Sequence, residues 1–131
     1  TVVSVQSTSM TNVHTYSITK VSGTSNLLIQ ANLFGGLWAY ATNQEGEAQV
    51  YNATDTAVIG SNFQAGGQFN SNSWSALTNN EVRAWTTMTV VESTPLTAGV
   101  KSIRIRANCT DPATGGYSCS QSTLTVWEIE Q

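Results

Sequence analysis

The residues of this chain best suited to bind a ligand are aromatic side chains that stand beside amides and hydroxyls. Trp74 lies in a run of Asn and Ser, Tyr117 lies on a Gly-rich loop, and Trp38 and Tyr40 lie on a predicted strand. An exposed aromatic ring can stack on a sugar, while neighbouring amides and hydroxyls bind the sugar's hydroxyl groups. We therefore predict these four aromatics as candidate glycan-binding residues. The alternative for each is packing in the core or at a subunit contact.

Two cysteines, Cys109 and Cys119, flank the Gly-rich loop. In a chain poor in charge and rich in Ser and Thr, this spacing predicts a disulfide, with free thiols in a reducing cell as the alternative. A disulfide predicts an oxidising location, extracellular or on a virion surface. It would also order the loop that carries Tyr117 before a partner binds.

The other reactive residue types do not form a catalytic pattern. His14 is the single histidine, so the sequence lacks a multi-histidine metal site. Glu45 and Glu47 lie on a predicted turn, where solvated charges are expected rather than carboxylates placed across a sugar. Asp55 and Asp111 stand apart from any Asp-rich calcium loop. The sequence therefore predicts a protein that is not an enzyme and holds no metal and no cofactor.

The composition predicts a folded domain with a neutral, polar surface. Apolar residues make up 40% of the 131 residues, whereas charged residues make up 10%, against about 25% in typical domains. The net charge is −3 and basic residues do not cluster, which argues against nucleic-acid binding. No apolar run approaches the roughly 18 residues of a membrane span. Because the chain begins with Thr1 rather than Met, we expect a processed protein or a piece of a longer one.

Short alternating runs separated by turns predict an all-β protein of about nine strands. The predicted strands are 2–5, 14–19, 27–34, 37–41, 48–51, 56–60, 82–91, 100–107 and 124–130. Gly35 and Gly36 are expected to break the chain between two strands, and 61–80 is expected to be a long polar loop. The pattern predicts one domain over 1–131, folded as an antiparallel two-sheet jelly-roll sandwich.

The last strand is apolar on both faces, which predicts that both faces are covered. Leu124 and Val126 lie on one face, and Trp127 and Ile129 lie on the other. We predict that Leu124 and Val126 lie at a subunit interface and that Trp127 lies in the core.

The predicted strand 27–34 has the same property. Leu28 and Phe34 lie on the face opposite Ile29 and Leu33. We predict Leu28 and Phe34 as further interface residues, since a second subunit often covers such a face in a small sandwich. The alternative cover is the polar loop that contains Trp74.

Three segments carry a resemblance to a known group of domains: 16–30, the turn 96–99, and the closing strand 124–129. They resemble the C-terminal head domains of phage tail fibres and spikes, which are similar to the tumour-necrosis-factor-like jelly roll. The resemblance implies a homotrimer assembled about its axis that acts as an attachment or capsid-decorating module. It supplies no ligand-binding motif.

Two arrangements of the last two strands remain open. If the cysteines face each other across a hairpin, Ile103, Ile105, Thr125 and Trp127 share one face. In a tumour-necrosis-factor-like topology, the two strands lie in different sheets and the disulfide closes a crossing loop. Both arrangements allow the short separation that a disulfide needs.

These observations together predict a non-enzymatic, trimeric structural or attachment module of a viral fibre, spike or decorating protein. Its predicted partners are its own copies and a cell-surface glycan, without nucleic acid and without membrane insertion. The alternatives are a secreted monomeric carbohydrate-binding module and a subunit of an extracellular filament. In the filament, the strand Val2–Val5 would pair with a neighbouring subunit.

Overall fold

Alternating apolar residues form long antiparallel strands in the structure, a computed structural model that describes residues 2–39, 44–69 and 81–130. These described ranges contain eight strands and no helix. The strands are β1 (Val3–Val5), β2 (Thr11–Lys20), β3 (Asn26–Ala39), β4 (Gln44–Asn52), β5 (Ala57–Phe69), β6 (Glu81–Val91), β7 (Gly99–Cys109) and β8 (Gly115–Ile129).

The strands form two four-stranded antiparallel sheets packed against each other. Sheet 1 has the order β1-β8-β3-β6, and sheet 2 has the order β2-β7-β4-β5. All connections except β4 to β5 cross from one sheet to the other. This order is that of a jelly roll, so the predicted fold class is confirmed, with eight strands rather than about nine.

The last two strands take the crossing arrangement. β7 lies in the middle of sheet 2 and β8 in the middle of sheet 1, so they do not form a hairpin. Ile103 and Ile105 of β7 and Leu124 and Val126 of β8 therefore approach the core from opposite sheets. A face shared by Ile103, Ile105, Thr125 and Trp127 does not exist.

The core lies between the sheets and follows the predicted period of two. On β3, the side chains of Leu27, Ile29, Ala31 and Leu33 are fully buried. They meet buried residues of sheet 2 that include Val50, Ile103 and Ile105. The alternate positions of the same strands point to the outside, and these positions form the two outer faces of the sandwich.

The expected break at Gly35 and Gly36 is wrong, because β3 runs through both glycines. A Cβ atom at Gly35 would fall inside contact distance of the Tyr117 ring and hydroxyl. Glycine is thus needed here to admit a buried aromatic ring from β8, and a bulge beside Phe34 accommodates the change. The two predicted strands on either side of the glycines are one strand, which explains the lower strand count.

The predicted polar loop begins later than expected. Residues 61–69 belong to β5 and pair with β4, although Gly, Asn and Gln are common there. Glu45 and Glu47 likewise lie on β4 rather than on a turn. In both segments, pairing with a neighbouring strand outweighs a weak local preference for strand.

Candidate functional site

The outer face of sheet 1 is built from three adjacent strands and carries no charged side chain over its central rows. Its members on β8 are Gln121, Thr123, Thr125, Trp127 and Ile129; on β3, Leu28, Gln30, Asn32 and Phe34; and on β6, Trp85, Thr87, Thr89 and Val91. Because the strands are in register, these residues form cross-strand rows of three. An uncharged face of this breadth is the most distinctive surface of the described chain.

One end of this face is apolar. Trp127, Leu28 and Val91 form a single row across β8, β3 and β6, and Ile129 follows on β8. Trp127 is 47% exposed, Val91 45% and Ile129 40%. Large apolar side chains that adjoin one another and remain this exposed make this end of the face a candidate contact surface.

The other end of this face carries a pair of aromatic rings. Phe34 and Trp85 are cross-strand partners, and their ring centroids lie 5.1 Å apart at an interplanar angle of 34°. Phe34 is half-buried beneath its neighbours, whereas Trp85 is 55% exposed. The Phe34 contact therefore fixes the Trp85 indole while leaving much of it open to solvent.

A row of hydrogen bonds crosses the middle of this face. The Asn32 side-chain Nδ2 donates to the Thr123 hydroxyl at 3.1 Å, and the Thr87 hydroxyl donates to the Asn32 side-chain Oδ1 at 2.8 Å. Asn32 thereby links all three strands. This row satisfies polar groups within the sheet, so a partner could cover it at a lower desolvation cost.

The predicted interface residues fall on two different faces. Leu28 and Phe34 lie on the outer face of sheet 1, as predicted. Leu124 and Val126 instead point inward and pack against the core, so their assignment to an interface is wrong. Trp127, which was expected in the core, occupies the outward position that follows Val126. The error is one of parity, because β8 is apolar on both faces and its sequence does not show which face points inward.

Two of the four predicted glycan-binding residues lie within the part of the chain that the structure describes. Tyr117 lies on β8 and is fully buried, so its predicted display on a loop is wrong. Trp38 lies on β3, where it is half-buried and close to Gly116. Tyr40 and Trp74 lie outside the described residues. Of the two that the structure describes, Tyr117 is thus not available to a ligand and Trp38 is available only in part.

Tyr117 is a core residue with an unusual environment. Its hydroxyl has no hydrogen-bond partner among the described residues. Burial raises the pKa of this phenol well above its ordinary value, so the group stays neutral. The ring fills the space left by Gly35, and its role is packing.

The predicted disulfide is absent, since Cys109 and Cys119 are both free and buried. Cys109 pairs with Gly46 in sheet 2, whereas Cys119 pairs with Gly35 in sheet 1. Burial raises the pKa of both thiols, and that of Cys119 reaches about 11. Neither cysteine has the depressed pKa of a reactive thiol.

A cleft of about 510 Å³ borders the outer face of sheet 1. It follows β8 just beyond residues 117–119, which pair with β1, and Trp85 and Gln121 form part of its wall. His14 Nδ1 and the Tyr16 hydroxyl both hydrogen-bond to the Ser122 hydroxyl across the two sheets. These contacts tie β2 to β8. His14, the single histidine of the sequence, is half-buried in the wall of this cleft.

The outer face of sheet 2 has a different character. Arg106 stacks over the Tyr51 ring, with 4.3 Å between the guanidinium carbon and the ring centroid. Asn62 donates to a Glu47 carboxylate oxygen at 3.1 Å and accepts from the Gln49 amide at 2.9 Å. Charged and amide groups on this face are thus engaged with one another.

Comparisons with known proteins do not assign the chain to a group. No family model, no curated protein and no solved structure matches it. In the described ranges, no three His, Cys, Asp or Glu side chains come together as metal ligands would. The same ranges contain no helix long and apolar enough to cross a membrane.

Proposed function

We propose that this chain is a non-enzymatic structural or attachment module that assembles into a homotrimer through the outer face of sheet 1. One observation carries the proposal: that face combines exposed Trp85, Val91, Trp127 and Ile129 with a complete lack of charge in its central rows. Interface cores are depleted in charge and enriched in aromatic residues, so the composition of this face supports burial.

A second copy of the chain is the partner that this face suits best. A neutral face can meet another copy without placing like charges opposite each other, whereas the charged outer face of sheet 2 would remain in solvent. The three-fold symmetry comes from the resemblance to fibre and spike head domains. Assembly about an axis would leave the loops at the ends of the sandwich free to contact a cell surface.

Radical footprinting of the tryptophans tests the assembly. Trp85 and Trp127 should become protected from hydroxyl-radical oxidation as protein concentration rises through the assembly range. Met88, which is fully buried in the core, serves as an internal control whose oxidation should not change with concentration. Oxidation of both tryptophans that is independent of concentration, in a protein of monomer mass, would contradict the proposal.

The attachment role has its own test. The assembled protein should bind one or more glycans on an array, with weak binding per site that several copies strengthen. Absence of binding in an assembled trimer would leave a structural module and would remove the attachment role. The location proposed for this role is extracellular or on a virion surface. It rests on the neutral polar composition alone, because the cysteines are free.

A monomeric carbohydrate-binding module is a second candidate, favoured by the fixed and exposed Trp85 indole beside Gln121 and the cleft. In that case, a soluble glycan should quench tryptophan fluorescence in a protein of monomer mass, and Trp85→Ala should abolish the quenching. In the filament alternative, β1 would pair with a neighbouring subunit through its outer edge, since it pairs with β8 on one side and forms the edge of sheet 1 on the other.

A further inference from the structure

Two buried lysines lie at one end of the sandwich. Lys20, at the end of β2, is 1% exposed, and Lys101, near the start of β7, is 2% exposed. Both side chains extend inward from sheet 2, beyond the last apolar layer. Lysine is almost never buried this completely without a partner, so the surroundings must hold both ammonium groups.

The partners of the two lysines differ in their geometry. Lys101 Nζ lies 2.6 Å from Asp55 Oδ2, a direct charge-assisted hydrogen bond. Lys20 Nζ lies 3.9 Å from Glu92 Oε2, which is too far for a direct hydrogen bond. Neither carboxylate oxygen of Glu92 has a hydrogen-bond partner among the described residues. One carboxylate is therefore well stabilised as an anion, and the other is not.

The turn that carries Asp55 is built to hold it. The buried Asn52 side chain accepts from the backbone amides of Thr54 and Asp55 and donates to Asp55 Oδ2 at 2.8 Å. Thr56 then has a φ of 53°, a left-handed conformation that is rare for threonine. The position of Asp55 is thus fixed by the turn before Lys101 approaches.

Both lysines also bind the loop between β6 and β7, residues 93–98. Lys20 Nζ donates to the Leu96 carbonyl oxygen at 2.5 Å, and Lys101 Nζ donates to the Thr97 hydroxyl at 3.0 Å. Apart from half-buried Leu96, residues 93–98 are exposed. The two buried ammonium groups are therefore the main polar anchors of an otherwise exposed loop.

The two carboxylates respond to protons in opposite directions. Burial raises the pKa of Glu92 above its ordinary value, and the attraction of Lys20 together with smaller contributions from the Leu27 and Leu96 backbone amides offsets this only in part. The hydrogen bond from Lys101 holds the pKa of Asp55 below its ordinary value. Glu128 also faces Lys20, from β8. Its pKa is lowered by hydrogen bonds from the Val21 amide and the Ser25 hydroxyl.

We propose that Lys20, Lys101, Glu92 and Asp55 form a pH-sensitive clamp that holds loop 93–98 most tightly in mildly acidic solution. A proton on Glu92 removes a buried charge whose nearest ammonium group, that of Lys20, lies 3.9 Å away. A proton on Asp55 breaks the ion pair with Lys101 and leaves that ammonium buried without a counter-ion. The first protonation tightens the loop and the second releases it. This inference is independent of the proposed function.

The linkage sign follows from comparing the closed loop with an open one, in which Thr97 has left Lys101 and water reaches Lys101 and Glu92, so that the pKa values of both carboxyls return toward ordinary values. The closed form binds the Glu92 proton more tightly, so closure strengthens as pH falls from neutral through the raised pKa of Glu92. It binds the Asp55 proton less tightly, so closure weakens as pH falls from the ordinary pKa of an aspartate through the depressed pKa of Asp55. Each unit of pKa difference corresponds to about a tenfold change in the opening equilibrium.

Hydrogen exchange of residues 93–98, measured by mass spectrometry from about pH 3 to about pH 8, tests the clamp. The exchange is corrected for its intrinsic pH dependence against the loop 110–114 at the other end of the sandwich. Protection should rise severalfold from about pH 8 to about pH 5 and fall again near pH 3. Protection that is flat across the range, or that falls steadily from pH 8, would overturn the proposal.

Two variants separate the two carboxylates. Glu92→Gln should make protection at about pH 8 equal to that at about pH 5, while the loss in stronger acid remains. Glu47→Gln, which removes an exposed carboxylate on β4, is the matched control and should keep both changes. If Glu92→Gln kept the change between pH 8 and pH 5, Glu92 would not be its source. Asp55→Asn should abolish the acid loss; if that variant does not fold, the wild type and Glu92→Gln still decide the question.

Discussion

The two outer faces of this sandwich are made by the same chain from similar strands, yet they differ in how many charged side chains they carry. On sheet 2, Arg106 stacks on Tyr51, and Glu47 accepts a hydrogen bond from Asn62. On sheet 1, the central rows contain Thr, Asn, Gln and apolar side chains without a charge. Composition alone therefore does not define a contact surface. A chain with 10% charged residues can still leave the central rows of one face free of charge while it places charged residues on the other face.

A charge placed on the outer face of sheet 1 should have the largest effect on assembly. Trp127→Asp would place a carboxylate in the apolar row formed with Leu28 and Val91, where assembly would bury it without a partner. We expect complete loss of assembly, with a monomer of 14.0 kDa that keeps its far-ultraviolet β spectrum. The measurement is light scattering coupled to size exclusion.

Ser17→Asp is the matched control, since Ser17 is exposed on β2 of sheet 2. This variant should keep the native mass. Loss of assembly in both variants would show that the difference between the two faces is not what controls association.

Truncation of the fixed indole should have the next largest effect. Trp85→Ala removes a half-exposed aromatic side chain and its ring contact with Phe34. Aromatic residues at the centre of an interface typically contribute about 2 kcal/mol or more, so the assembly constant should fall by roughly 30-fold. Sedimentation equilibrium at several concentrations measures this change. An unchanged assembly constant would show that this end of the face is not part of the contact.

A matching truncation on sheet 2 should affect stability and not assembly. Tyr51→Leu keeps an apolar side chain but removes the ring beneath the Arg106 guanidinium. Thermal or urea unfolding should show a loss of about 0.5–1 kcal/mol, the range for an exposed cation–π contact. The native mass should not change. A shift toward monomer in this variant would place sheet 2 in the interface.

The smallest expected effect is that of salt on assembly. Because the central rows of the sheet 1 outer face lack charge, salt has few electrostatic interactions to screen there. Raising sodium chloride from about 0.05 M to about 0.5 M should change the assembly constant by no more than about twofold. A steep dependence on salt would show that charged groups outside this face, such as those of sheet 2, control association.

Period-two alternation was enough to predict the inward side of β3, because its longest apolar series, Leu27, Ile29, Ala31 and Leu33, lies on one face and is buried. It was not enough for β8, which is apolar on both faces. There the decisive fact is that β8 pairs with β3 in sheet 1, which places Trp127 beside the outward Leu28. Such a long-range pairing cannot be read from the local pattern.

Gly35 is a second position where a long-range contact, not the local sequence pattern, determines the structure. Two adjacent glycines within an apolar run predict a turn by local rules. In the fold, Gly35 lies within a strand because Tyr117, far away in the sequence, needs the volume that a side chain would occupy. The same distant contact removed Tyr117 from the surface, so one tertiary interaction explains both the wrong break and the wrong ligand-binding residue.

The buried charges at the end of the sandwich had no signal in the sequence. Lys20 and Lys101 each end or begin an ordinary alternating strand, where solvent exposure is the usual outcome. Their burial follows from the turn that presents Asp55 and from Glu92, the residue that follows β6.

Native mass of the unmodified chain tests the central claim most directly. Native mass spectrometry or light scattering at micromolar protein concentration should give three times the 14.0 kDa of one chain, at low and high salt alike. A mass of 14.0 kDa at every concentration up to the solubility limit would contradict assembly through the outer face of sheet 1.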